Sequence, residues 1–307
     1  MSRRLYKSVI FFLVIILLPA LITLYMSEGG GVTERKSASE EYYIISKQER
    51  IPLEEYLTGA VAFYMPVSCD DEAFKAMAVL LRTFVLFQMG DLKEIEEEKL
   101  SLSRYQMEEM EVMFGDKFSY TYSRYQTAVQ ITKGETLKYE GELIEPYFHQ
   151  VSAGMTNSLA GIPYLSSVDS PYDIQADRYL SLITISSSEF CTGLWKAADS
   201  SEELLMQEVS AEDIMAQIIV EVREGEYKQS VVWKNIRIPA VSIQKAFGLP
   251  STAFQFEAYE GNIRIITKGL GHGIGLSLHG AMKMAEEGKS YREILTYYYS
   301  NITVSGE

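Results

Sequence analysis

Cysteine is nearly missing from this chain, with Cys69 and Cys191 the two examples among 307 residues. They are far apart and neither has a companion in a CxxC or CxxH spacing. A disulfide scaffold and a cysteine-rich structural zinc site are therefore not expected. Positive charge is scarce as well: Lys and Arg total 28 against 42 Asp and Glu, a formal net charge of -14. Nucleic-acid binding leaves a basic footprint, and this chain has none. The same acidity argues against a partner held by bulk attraction to anionic lipid or anionic wall polymers. Internal repeats are absent too. What remains is core material: 47% of residues are apolar and 23% charged, with 21 Tyr and 13 Phe, the composition of a folded globular protein.

The N-terminal residues stand apart. Arg3, Arg4 and Lys7 precede an uncharged, largely apolar run from Ser8 to Ser27. About 20 helical residues cross a hydrocarbon core, and a membrane helix tolerates the internal Pro19. The positive flank stays inside, so the rest of the chain is expected outside the cytoplasm. The competing reading, a cleaved signal peptide, wants a shorter apolar run and a small-residue cleavage site, and none follows Tyr25. The expected organisation is a cytoplasmic tail at 1–8, a transmembrane signal anchor at 9–26, a Gly-, Ser- and charge-rich linker at 27–45, and one extracytoplasmic domain at 46–307.

Within that domain, Leu53, Tyr56, Leu57, Ala60, Val61 and Tyr64 form the 3.6-residue stripe of a half-buried helix opened by Pro52. Pro66 disfavours helical geometry at Met65 and should end it. Ser68 with Asp71 resembles a capping box for a second helix running to about Met89. Residues 91–118 are charge-dense and read as a solvated helical excursion. From Thr127 the period changes, and 129–132, 136–139 and 143–151 read as strands, with Glu140-Gly141 as a hairpin turn. Residues 196–222 read as acidic helix. Strands return at 231–238 and 254–267, and a glycine-rich turn at 269–275 leads into a helix from about Ser277 to Glu287. The expected fold class is α+β: a membrane-anchor helix followed by one mixed domain of helices and antiparallel sheet.

Three stretches resemble the stage II sporulation protein D family, whose domain is shared with the amidase enhancer of bacterial autolysins. They are IPLEEYLTGAVAFYMPVSCDDEAFKAMAVLLRTF at 51–84, TKGETLKYEGELIEPYFHQVSAGMTNS at 132–158 and KGLGHGIGLSLHGAMKMAEEGKSYREILTYYY at 268–299. The resemblance implies lytic cleavage of peptidoglycan glycan strands whose stem peptides an amidase has removed, and a role in forespore engulfment. It implies glycan strands, a cell-wall amidase and other engulfment proteins as partners, and no cofactor.

A lytic transglycosylase needs one well-placed carboxyl group, which gives a proton to the glycosidic oxygen and then takes one from the sugar's 6-hydroxyl. The family carries that Glu directly before Met-Pro; here the position is Tyr64. A phenol, with a reference pKa near 10, is a poor proton donor to an ether. Tyr64 thus reads either as a replaced catalytic residue or as an aromatic on the helix stripe. Lys75 and Arg82 match the family's basic positions and are candidates for holding acetamido or hydroxyl groups. His149 and Ser152 match the second motif, although its Ser-Gly-Gly turn is Ser-Ala-Gly here. His272, between Gly271 and Gly273, is the strongest single candidate, because small neighbours let a ligand approach. Ser277 matches the third motif, where the family's next two residues, Gln and Tyr, are Leu278 and His279. His149, His272 and His279 have no metal-ligand spacing, so no metal site is expected. Two readings follow: a glycan-binding protein with weakened or lost cleavage, and an active transglycosylase.

Overall fold

The computed structural model describes residues 41–199 and 210–306. The chain divides into the units Met1–Glu41 and Tyr42–Glu307, and the described elements belong to the second. Strand β1 (Tyr43–Ser46) pairs antiparallel with β2 (Glu49–Pro52). The last residues assigned to the expected linker are therefore strand. Helix α1 (Leu53–Tyr64) starts directly after Pro52, where a missing N–H costs nothing. Tyr56, Leu57, Ala60 and Val61 are fully buried, as the stripe predicts. Met65 is extended before Pro66 and closes the helix. Helix α2 (Asp71–Met89) differs at its start: the cap is Asp70, whose side chain accepts from the Glu72 amide at 3.0 Å, rather than Ser68. Asp70 is the extended residue immediately before the first turn, the position from which a side chain reaches the free amides. Ala73, Phe74 and the run from Ala76 to Leu81 are fully buried, so α2 is wrapped nearly all round and forms the centre of the helical core.

The charge-dense excursion holds a short strand, β3 (Glu94–Glu96), parallel to β1, and one short helix, α3 (Met107–Phe114). Ile95, Leu100 and Met110 tie it to the core while its acids stay outside. Helix α4 (Phe118–Ile131) replaces the strand expected at 129–132. Thr121, Tyr125, Ala128 and Val129 are its buried residues. That spacing is helical, and packing against α1 and α2 outweighs the strand preference of Val129, Ile131 and Thr132.

Next come β4 (Thr136–Tyr139) and β5 (Glu142–Leu143), joined by Glu140-Gly141 as expected, both with positive φ. The long strand expected at 143–151 is broken after Leu143, since Pro146 has no amide for a ladder. Only β6 (Phe148–His149) survives of it.

A second core lies in residues 180–265. Strand β7 (Leu180–Ile185) precedes α5 (Ser187–Ala197) and α6 (Ala211–Ala216). Strands β8 (Ile218–Glu224), β9 (Tyr227–Trp233) and β10 (Ile236–Pro239) form an antiparallel meander. The helix expected through 222 therefore ends early. Ile218 and Val220 pack inward while Ile219 faces out, a period of two. After α7 (Ala240–Phe247), strands β11 (Phe254–Tyr259) and β12 (Asn262–Lys268) form a hairpin, and β7 adds to β12. The chain then returns to the first core through β13 (Leu276–Ser277), α8 (Leu278–Glu286), α9 (Tyr291–Tyr298) and β14 (Thr303–Ser305), which pairs with β4.

The domain is thus α+β with mainly antiparallel sheets. Among the described residues no helix is long and apolar enough to cross a membrane. The expected anchor at 9–26 lies outside them.

Candidate functional site

The glycine-rich turn between β12 and β13 runs against the chain entering β6. A Cβ on Gly271 would sit 2.9 Å from the His149 Cβ, and one on Gly275 would sit 2.0 Å from the Tyr147 carbonyl oxygen. Both glycines have positive φ, so backbone geometry and close approach each demand glycine. β6 then pairs in parallel with β13, His149 opposite Ser277.

This approach sets the His272 ring 5.8 Å from the His149 ring and 5.9 Å from the Tyr147 ring. His149 is buried, and its Nδ1–H donates to the Ile274 carbonyl at 3.1 Å. Its Nε2 is left as an acceptor, buried and without a hydrogen-bond partner among the described residues. Burial, helped by the neighbouring His272, pushes the His149 pKa down to about 3, against the pull of the Ile274 bond. His272 is more open, and its Nδ1 accepts from the Ile274 amide at 3.0 Å. Protein crowds one side of the ring, and that desolvation lowers its pKa, with the Phe148 carbonyl working the other way. Both shifts run downward, so the pair is neutral at neutral pH and brings no charge to this surface.

Tyr64, the last residue of α1, borders the same strand. Its ring lies edge-on to Phe148, 5.1 Å between centroids, and Phe63 and Tyr105 continue the aromatic rim. The Tyr64 hydroxyl accepts from the Ser103 amide at 3.1 Å; its partner is a backbone N–H and not a carboxylate.

Ser152 and Ser277 are fully buried and serve a clamp that sequence reasoning missed. Asp173, also fully buried, accepts the Ser152 amide at 2.8 Å on one oxygen and the Ser277 hydroxyl at 2.9 Å on the other. Ser277 in turn caps α8 by accepting from the Gly280 amide at 3.2 Å. The Ser152 and Ser277 side chains hold backbone in place and are closed to a ligand. No spacing rule reaches Asp173, because its partners are 21 and 104 residues away.

Lys75 and Arg82 are not brought to the histidines. Lys75 pairs with Glu72 at 2.5 Å, and Glu72 also accepts the Tyr291 amide. Arg82 is buried, and its guanidinium forks onto Glu54 at 2.9 and 2.6 Å. It also donates to the carbonyls of Val129, Thr132 and Glu135, filling the acceptors left open at the end of α4. The Arg82 donors are thus spent inside the core.

The stage II sporulation protein family model matches residues 42–139. The chain is 33% identical to the stage II sporulation protein D of Bacillus amyloliquefaciens over 270 residues, 84% of this chain and 75% of that protein. It is 32% identical to the protein of the same name from Bacillus subtilis (strain 168), with the same coverage. It is also 26% identical to the amidase enhancer of Bacillus subtilis (strain 168), over 81% of this chain and 40% of that protein. With the three motifs converging on one turn and one strand, the chain belongs to the stage II sporulation protein D family.

Proposed function

We propose that this protein is a membrane-anchored, extracytoplasmic binder of peptidoglycan glycan strands, acting in engulfment during sporulation, in which cleavage of the strand has been lost. One observation carries the reading: the position where the family resemblance implies a catalytic Glu is Tyr64, whose hydroxyl is engaged by the Ser103 amide. Bond breaking needs a proton donor near the glycosidic oxygen and a base for the 6-hydroxyl, and a phenol meets neither need well. The neutral histidine pair suits binding instead. The exposed His272 ring and the aromatic rim offer flat faces to sugar C–H groups. The apolar run at 8–27 supports the anchor and the extracytoplasmic placement. The similarity to an amidase enhancer supports a cell-wall amidase as the protein partner. The test uses the full chain held in detergent and strands stripped of stem peptides. Tyr64→Glu should release 1,6-anhydro ends that the natural chain does not release. No gain of cleavage in a Tyr64→Glu protein that still binds strands would contradict the assignment of Tyr64 to the acid position.

A further inference from the structure

Two consecutive amides of the second motif are held by side chains from elsewhere in the chain. Asp173 takes the Ser152 amide, and the next one, of Ala153, donates to the Tyr227 hydroxyl at 3.0 Å. Tyr227 opens β9, is fully buried, and packs with Ala153 and Ala253. The same phenol lies against the glycine-rich turn. A Cβ on Gly273 would stand 2.2 Å from the Tyr227 hydroxyl and 2.3 Å from its Cζ, so the ring fills the room a side chain there would need. Gly273 joins His272 to Ile274, whose amide and carbonyl hold the His272 and His149 rings. The Gly273 carbonyl accepts the Asn157 amide at 2.7 Å, which pins the same peptide from another side. The chain around Tyr227 is itself tied down. Glu226 pairs with Lys268 at 2.9 Å, and the Lys228 amide donates to the Thr252 carbonyl at 3.1 Å.

We infer that Tyr227 is a positioning residue of the glycan site: from inside the protein it braces Ala153 and Gly273 and so fixes the exposed His272 ring. This rests on the glycan reading above and adds what holds the site in its binding form. Tyr227 is buried and does not touch a strand; it acts through the turn. His272 stands between two glycines, the residues with the most backbone freedom to lose. Without a brace behind Gly273, that freedom would be lost on binding, and affinity would fall. The brace also sets the ring chemistry. The His272 Nδ1 accepts from the Ile274 amide, so its proton sits on Nε2 as long as the turn keeps its shape.

The experiment measures the affinity of folded full chain in detergent for stem-free glycan strands, together with the ring nitrogens of His272 by NMR after histidine-selective labelling. Both are read at about pH 7.5, above the ordinary His range. Tyr227→Leu removes the hydroxyl and the ring plane; it should weaken strand binding about fivefold, the scale of re-ordering one side chain, and mix the two His272 tautomers. Tyr227→Phe keeps the ring behind Gly273 and should lose about twofold; it carries the test if Tyr227→Leu does not fold. Ile243→Ala truncates the second core elsewhere and should lower stability while leaving affinity and the His272 tautomer unchanged. Natural affinity and a single tautomer in the folded Tyr227 variants would overturn the positioning role and leave glycan binding standing. An equal loss of affinity in folded Ile243→Ala protein would trace the effect to the second core at large and overturn it as well. Failure of the natural chain to bind strands would overturn both readings.

Discussion

Asp173→Ala is the substitution whose effect follows most directly from the structure. The native carboxylate satisfies two buried donors, the Ser152 amide and the Ser277 hydroxyl. Removing it strands both, and a buried donor without a partner costs about 1–3 kcal/mol. The Ser277 hydroxyl can swing toward other acceptors, and losing a desolvated charge returns part of the cost. The net expectation is about 2–4 kcal/mol of destabilisation. Asp173→Asn keeps one acceptor oxygen and should cost about half as much. Ser277→Ala removes one hydrogen bond to Asp173 and the α8 cap, the cap alone being worth about 1 kcal/mol. Because the two residues share a bond, the double variant should be less damaged than the sum, by about 1 kcal/mol. Urea unfolding of the full chain in detergent, followed by tyrosine fluorescence, measures all four proteins. A loss below about 1 kcal/mol for Asp173→Ala, or strict additivity with Ser277→Ala, would refute the clamp.

Arg82→Ala should cost about 3–5 kcal/mol, because it leaves Glu54 without its ion partner and the end of α4 without donors; folded Arg82→Lys protein should keep its strand affinity, which a substrate contact would not allow. His149 is neutral in the folded state with a pKa near 3, whereas an unfolded His protonates near 6.5, so its contribution is complete above about pH 6.5 and is lost as pH falls toward about 3. Between pH 6.5 and 4.5 this amounts to about 2–3 kcal/mol, and the urea midpoint of His149→Gln should be correspondingly flatter over that range. Cys69 and Cys191 are free thiols, so the double Cys→Ala variant should lose about 1 kcal/mol from the buried Cys69 site, below the 2–5 kcal/mol scale of a removed disulfide.

The sequence spoke clearly where one signal dominated. Pro52, Pro66 and the stripe between them define α1, and Glu140-Gly141 defines its hairpin. It misled where local preference and tertiary packing diverged. Val129, Ile131 and Thr132 favour strand in isolation, yet α4 is helical because Tyr125 and Val129 pack inward. The alternation from Ile218 to Val220 was hidden by the acidic helix-forming residues before it. At the site, His149 stood out through its motif position and His272 through its glycine neighbours, and their rings lie 5.8 Å apart. Arg82 is different: a basic residue beside an apolar stripe looks the same whether it faces a ligand or ties a helix end. Only the carbonyls of Val129, Thr132 and Glu135 decide it. Asp173 left no local signal because its function is made wholly of long-range contacts.

The central claim is binding without cleavage, and one digest measures both. The full chain in detergent is incubated with purified stem-free glycan strands, the bound strands are sedimented with the protein, and the soluble fraction is separated by chromatography for 1,6-anhydromuramic ends. The account predicts that strands co-sediment, that binding weakens in His272→Ala, and that no anhydro ends form. Abundant anhydro ends from the natural chain, undiminished in Tyr64→Phe, would place the acid elsewhere and contradict the account.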